Sequence, residues 1–215
     1  MFGALRVLWR GLMQFERYGP LFVLANITSV ALSLPIVTAP AAFAGLVRLC
    51  YKAQTDHTTT FSEFWEGFRA AFWRGLIVGG LNVVVIGVLV VNFFTYSAQS
   101  SSVFLLLRAV WGIILIGWLG VQLYLWPMLA AMESPTLIGG FRNAALMFSL
   151  NPVFTLTLLA VLGLVLVLST ILRVPWLLLT LAFLASVATA AVRDRLALAA
   201  GKPVDQPDRE DLRGD

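Results

Sequence analysis

Five stretches of this chain carry no Asp, Glu, Lys or Arg: Tyr18–Val47, Gly75–Leu107, Ala109–Met132, Asn143–Leu172 and Val174–Val192. A helix needs about 20 predominantly apolar residues to cross the hydrocarbon core of a bilayer. Each stretch is long enough, and together they hold most of the 215 residues. Closed β-barrels also cross membranes, but their strands alternate apolar and polar residues. The runs Gly80–Val91 and Leu156–Leu168 show no alternation. The expected fold is therefore an all-α integral membrane protein. Its five transmembrane helices fall at roughly 19–38, 75–96, 104–126, 152–172 and 174–193.

Composition excludes the other classes. Hydrophobic residues make up 60% and charged residues 12%, against roughly 45–50% and about 25% in soluble domains. That is too much apolar surface for a water-soluble fold of this size, and too little charge for a disordered chain. Cys50 is the only cysteine, so no disulfide closes within the chain. Residues 1–195 are expected to form a single transmembrane helical domain. The charged tail 196–215, with Pro203 and Pro207, is expected to be disordered.

Lysine and arginine placement sets the orientation. With five spans, the first loop (Arg48, Lys52, Arg69, Arg74), the third loop (Arg142) and the C-terminal tail share one side, which the positive-inside rule makes cytoplasmic. Arg6, Arg10 and Arg17 then fall on the opposite side and contradict the rule. A re-entrant segment around Ser33–Pro40 would remove the contradiction, since Pro35 and Pro40 break helical continuity and such breaks are tolerated where protein lines a cavity. A cleaved signal peptide ending at Ala42-Phe43-Ala44 would export the first loop, and the charge rule opposes it. Residues 2–15 are expected to lie along the interface as an amphipathic helix. Whether the first segment spans once or re-enters, and so the side of the N-terminus, stays open.

Gly67-Phe68-Arg69-Ala70-Ala71 recurs as Gly140-Phe141-Arg142-Asn143-Ala144. Each copy precedes a long span, and each follows a span that meets a proline near its cytoplasmic end, Pro35 or Pro127. The expected unit is a descending helix, a proline break, a short cytoplasmic helix and an ascending helix, used twice as parallel repeats. Arg69 and Arg142, with their planar guanidinium forks, are expected to capture carbonyls freed at the breaks.

Ser33-Leu34-Pro35-Ile36-Val37-Thr38 at the end of the first span resembles the hallmark of the YesL-like family of bacterial membrane proteins. So do the ladder Phe61, Phe64, Phe68, Phe72, and Tyr124-Leu125-Trp126-Pro127 followed by Arg142-Asn143-Ala144-Ala145-Leu146. Ala39 departs from the glycine that often follows the threonine there. The resemblance implies a compact five- or six-helix domain of uncharacterised activity in the bacterial inner membrane, associated with carbohydrate uptake by ABC transporters.

No catalytic constellation is found, and the chain is expected not to be an enzyme. His57 is the only histidine and Cys50 the only cysteine, so neither a His-ligated metal pair nor a supported dyad can be assembled. No cofactor or metal is expected. His57 belongs to a polar turn, Thr55–Thr60, that suits a helix cap. No Asp or Glu lies in Gly75–Met132 or Asn143–Val192, which disfavours proton-coupled transport. Glu133, at the end of the third span, is the nearest acid, with Arg142 or Arg69 as candidate partners. Asn26, Asn82 and Gln122 lie inside spans, where amides hydrogen-bond between helices or line a solute path. Ala182, Ser186 and Ala190 form a small-residue packing stripe. The Phe61–Trp73 helix is amphipathic, with Phe64 and Phe68 on its apolar stripe, and could dock a partner. Nucleic acid is not expected, because the basic residues are scattered along one boundary. The expected function is a non-enzymatic membrane accessory protein for ABC-type solute uptake. The alternative is a small self-sufficient transporter or channel that self-associates and uses the breaks around Pro35 and Pro127. The bilayer is a partner in both.

Overall fold

A computed structural model describes residues 2–56, 58–97 and 101–201. The chain is helical almost throughout, with no strand among the described residues. His57, the middle of the Ser97–Ser102 loop and the tail from Lys202 onward lie outside the described residues.

Helix α1 (Phe2–Ser33) is kinked at Tyr18, whose φ of −120° and ψ of 20° are non-helical. Pro20 lies two residues on and has no N–H to continue the helical ladder,. The chain then turns through Leu34–Thr38 into α2 (Ala39–Thr55), with Pro40 in its first turn, where the missing N–H costs nothing,. The turn holds Ile36 at a φ of 62°, strained for a β-branched residue,. It is tied by Ile36 N–H donating to the Ser33 carbonyl at 2.9 Å and by Thr38 Oγ1 donating to the Leu32 carbonyl.

Helix α3 (Ser62–Ser97) has 36 residues, so at 1.5 Å per residue it is about 54 Å long. The short cytoplasmic helix and the following span expected from the sequence are thus one continuous rod. Helix α4 (Ser102–Ala131) runs through Pro127 without ending there. The break expected at that proline is not formed, and Pro127 is buried within the helix. Helix α5 (Leu137–Leu150) starts at Thr136, whose hydroxyl accepts from Gly139 N–H at 3.2 Å. It stops at Asn151, because Pro152 opens α6 (Pro152–Leu172),. A tight turn with Arg173 at φ 59° leads to a π-helical segment, Trp176–Thr180, continuous with α7 (Leu181–Ala199). Helix therefore continues past the domain end expected at residue 195.

Four of these helices are long and apolar enough to cross a membrane: α3, α4, α6 and the π segment with α7. The expected first span at 19–38 is not among them, because α1 ends at Ser33 and the chain turns. Two apolar clusters hold the bundle together. One joins Phe22 of α1, Leu46 and Leu49 of α2, Phe64 of α3 and Leu125 of α4. The other joins Val7, Tyr124, Met147, Leu158 and Val187 from α1, α4, α5, α6 and α7. The stripe Ala182, Ser186 and Ala190 is buried, so it packs inside the chain. The expected surface helix at the N-terminus also packs inward: Val187 of α7 presses on Gly11, and Ser186 Oγ donates to the Gly11 carbonyl at 3.2 Å.

Candidate functional site

The seam between α2 and α3 is the most specific surface in the molecule. A methyl at Gly45 would stand 2.8 Å from the Phe64 carbonyl oxygen, and one at Gly67 would stand 2.8 Å from Arg48 Cβ. The helices therefore touch backbone to backbone, and Phe64 is fully buried between them. Arg48 closes the seam by donating to Glu63 at 3.0 Å and to Glu66 at 2.6 Å. One helical turn on, Lys52 Nζ lies 3.1 Å from Asp56, and this hydrogen bond raises the pKa of its ammonium group above the usual lysine value. Cys50, on the same helix, is fully buried, and burial pushes its thiol up, so it is inert.

Beside the seam, α2, α3 and the α4–α5 connection enclose a cleft of about 410 Å³. Arg48, Arg74, Trp126, Leu129 and Glu133 line it. The lining mixes cations and one carboxylate with an apolar floor. Among the described residues no group of three His, Cys, Asp or Glu gathers to hold a metal.

Arg69 and Arg142 are both exposed. Neither makes a hydrogen bond to a proline break or an ion pair among the described residues, so the expected capture of freed carbonyls is not formed. Glu133 is exposed and pairs with neither arginine. Phe68 stands edge-on to Trp65 at 5.7 Å and to Phe72 at 5.9 Å. Phe141 stacks on Trp118 at 5.8 Å. The repeat glycines play matching parts: Gly67 lies against α2, and Gly140 lies against Leu129 and Leu125 of α4.

The intramembrane amides act between helices. Asn82 Oδ1 accepts from Trp118 Nε1 at 2.9 Å, and Asn82 Nδ2 donates to Gln122 Oε1 at 3.4 Å. Asn26 is fully buried. Its Nδ2 donates to the carbonyls of Leu177 at 2.6 Å and Trp176 at 3.2 Å, and its Oδ1 accepts from Ala182 N–H at 2.8 Å. A π turn lengthens the helical ring by a residue and disturbs the regular ladder. Asn26 satisfies backbone groups at both ends of that disturbance.

Sequence reasoning missed a buried carboxylate. Asp194, 2% exposed, lies 3.1 Å from Arg195 and 3.5 Å from Arg10. Arg195 also covers the Phe154 ring at 3.8 Å and reaches Asn151 Oδ1 at 3.2 Å. This cluster ties the start of α1, the α5–α6 corner and the end of α7 together. An acid between two arginines, directly after the last apolar stretch, was the available signal.

A family model described as "Protein of unknown function, DUF624" matches residues 20–93. The match runs from the second limb of α1 through α2 into α3, so it covers both the turn at Leu34–Thr38 and the seam. The YesL-like resemblance is consistent with it. No curated protein matches the chain, and no solved structure does.

Proposed function

We propose that this chain is a non-enzymatic accessory protein of the bacterial inner membrane that docks a partner on its basic face. The observation that carries the reading is the pair Arg69 and Arg142. Both occupy the same place in the Gly-Phe-Arg motif, both are exposed, and neither has an intramolecular partner among the described residues. An arginine left free on a rigid helix is well suited to bidentate recognition of a carboxylate. Both arginines then lie on the cytoplasmic side set by the positive-inside rule. The resemblance named above suggests the partner class, a subunit of a carbohydrate ABC importer.

Affinity capture with the tagged full chain in mild detergent tests this. The intact protein is expected to retain an ABC permease or ATPase, and the Arg69→Glu, Arg142→Glu variant to lose it. Solute flux through liposomes containing only the purified chain would overturn the reading in favour of a self-sufficient transporter.

A further inference from the structure

The α1–α2 unit is a hairpin laid on α7. Gly11 of α1 and Gln54 of α2 meet the same residue: Ser186 Oγ donates to the Gly11 carbonyl at 3.2 Å, and Gln54 Nε2 donates to the Ser186 carbonyl at 3.0 Å. Toward the turn, Asn26 of α1 accepts from Ala182 N–H, while Cys50 Sγ of α2 lies 3.8 Å from the Ala182 carbonyl. Near the other end of α7, Arg193 donates to the Gln54 carbonyl and Arg10 faces Asp194. Both limbs therefore start and finish at the C-terminal end of α7.

The return limb is too short to cross a bilayer. Helix α2 has 17 residues, about 25 Å, against a core of about 30 Å, and Arg48 and Lys52 occupy its second half. Its register on α3 places the turn: Ala41 meets Gly75 and Pro40 meets Gly79. The turn thus lies beyond Arg74, alongside the uncharged part of α3. It is wholly apolar at its tip, with Leu34, Ile36 and Val37 exposed at 79%, 77% and 62%. Ile77 and Val83 of α3 are exposed beside that level.

We propose that α1 and α2 form a re-entrant hairpin that enters and leaves the bilayer on the basic face and seats Leu34–Val37 among lipid acyl chains. The chain then crosses the membrane four times, with the start of α1 and the end of α7 on one side. This placement resolves the conflict over Arg6 and Arg10. Arg10, which faces Asp194 at the end of α7, then shares a face with Arg48, Arg69, Arg74 and Arg142, as the charge rule requires,. The occupant of the tip is lipid because its apolar surface continues the exposed apolar surface of α3.

Single cysteines at Arg6, Leu34, Val37, Thr58 and Ala200, in a Cys50→Ala background, test this in sealed membrane vesicles of both orientations. A membrane-impermeant maleimide is expected to label Arg6, Thr58 and Ala200 from the same side only. Leu34 and Val37 are expected to lose labelling from both sides. A nitroxide at Leu34 is expected to relax more with oxygen than with a water-soluble nickel chelate, which separates lipid exposure from misfolding. Labelling of Arg6 and Ala200 from opposite faces would overturn the proposal, as would labelling of Leu34 or Val37 from either face. Partner capture plays no part in these readings, so they stand or fall apart from the docking function.

Discussion

Asn26 shows how one side chain can fix a helix that the sequence leaves irregular. Its amide serves two carbonyls and one N–H of the Trp176–Ala182 segment. Leucine has the same branched outline, with larger methyl groups, and makes none of these bonds. Interhelical hydrogen bonds in membranes average about 0.6 kcal/mol, and a buried group left unpaired costs about 1–3 kcal/mol. Asn26→Leu is therefore expected to lower stability in detergent by about 2 kcal/mol. Asn82→Leu removes only the bonds to Trp118 and Gln122 and is expected to cost about half as much. Equilibrium unfolding in mixed micelles would compare them, and equal costs would remove the special role of Asn26. That amides act between helices was legible from their place inside apolar stretches. That Asn26 would meet α7 was not, because the π segment Trp176–Thr180 has no signature in its own five residues. The expected roles of Arg69 and Arg142 failed for a different reason: α4 runs on through Pro127, and both guanidinium groups lie exposed at the surface.

Among the elements, the α2–α3 seam shows where glycine is a requirement. A methyl at Gly75 would stand 2.8 Å from Ala41 N and 3.0 Å from Ala41 Cβ, whereas one at Gly87 meets nothing within 4 Å. Both glycines lie on α3, so helix propensity treats them alike and only packing separates them. Overpacking a tight contact costs about 1–3 kcal/mol. Gly75→Val is expected to lower the midpoint of thermal unfolding in detergent, and Gly87→Val to leave it unchanged. If both variants unfold with the wild type, the seam is looser than the structure shows. The sequence revealed the helices of this region and the Gly-Phe-Arg motif, and it placed a break at Pro35–Pro40. It did not reveal that α3 is continuous through Trp73–Gly75. The change from amphipathic to wholly apolar at Arg74 marks a change of surroundings along one rod, which hydropathy alone does not distinguish from a boundary between two helices.

For the whole molecule, exposed apolar surface divides into two zones with different destinations. Val83, Val84 and Val91 of α3 and Leu106 and Ile113 of α4 are well exposed on helices long enough to span, and lipid covers such faces. Ile138 is 84% exposed, on the first turn of α5, close to Glu133 and one turn before Arg142. An isoleucine at that end of the bundle, beside a free arginine, is suited to burial against a docked protein. An aspartate distinguishes the two zones. At the centre of a span it costs roughly 2.5–3.5 kcal/mol of insertion free energy, so Val84→Asp is expected to reduce the amount of protein recovered from membranes. Ile138→Asp is expected to insert and fold as the wild type does, because the side chain touches little within the chain, yet to lose any partner that the intact chain retains under the docking proposal. Membrane yield and partner retention, measured side by side, give the answer. If Ile138→Asp inserts as poorly as Val84→Asp, α5 begins in lipid and the docking face must be drawn without it.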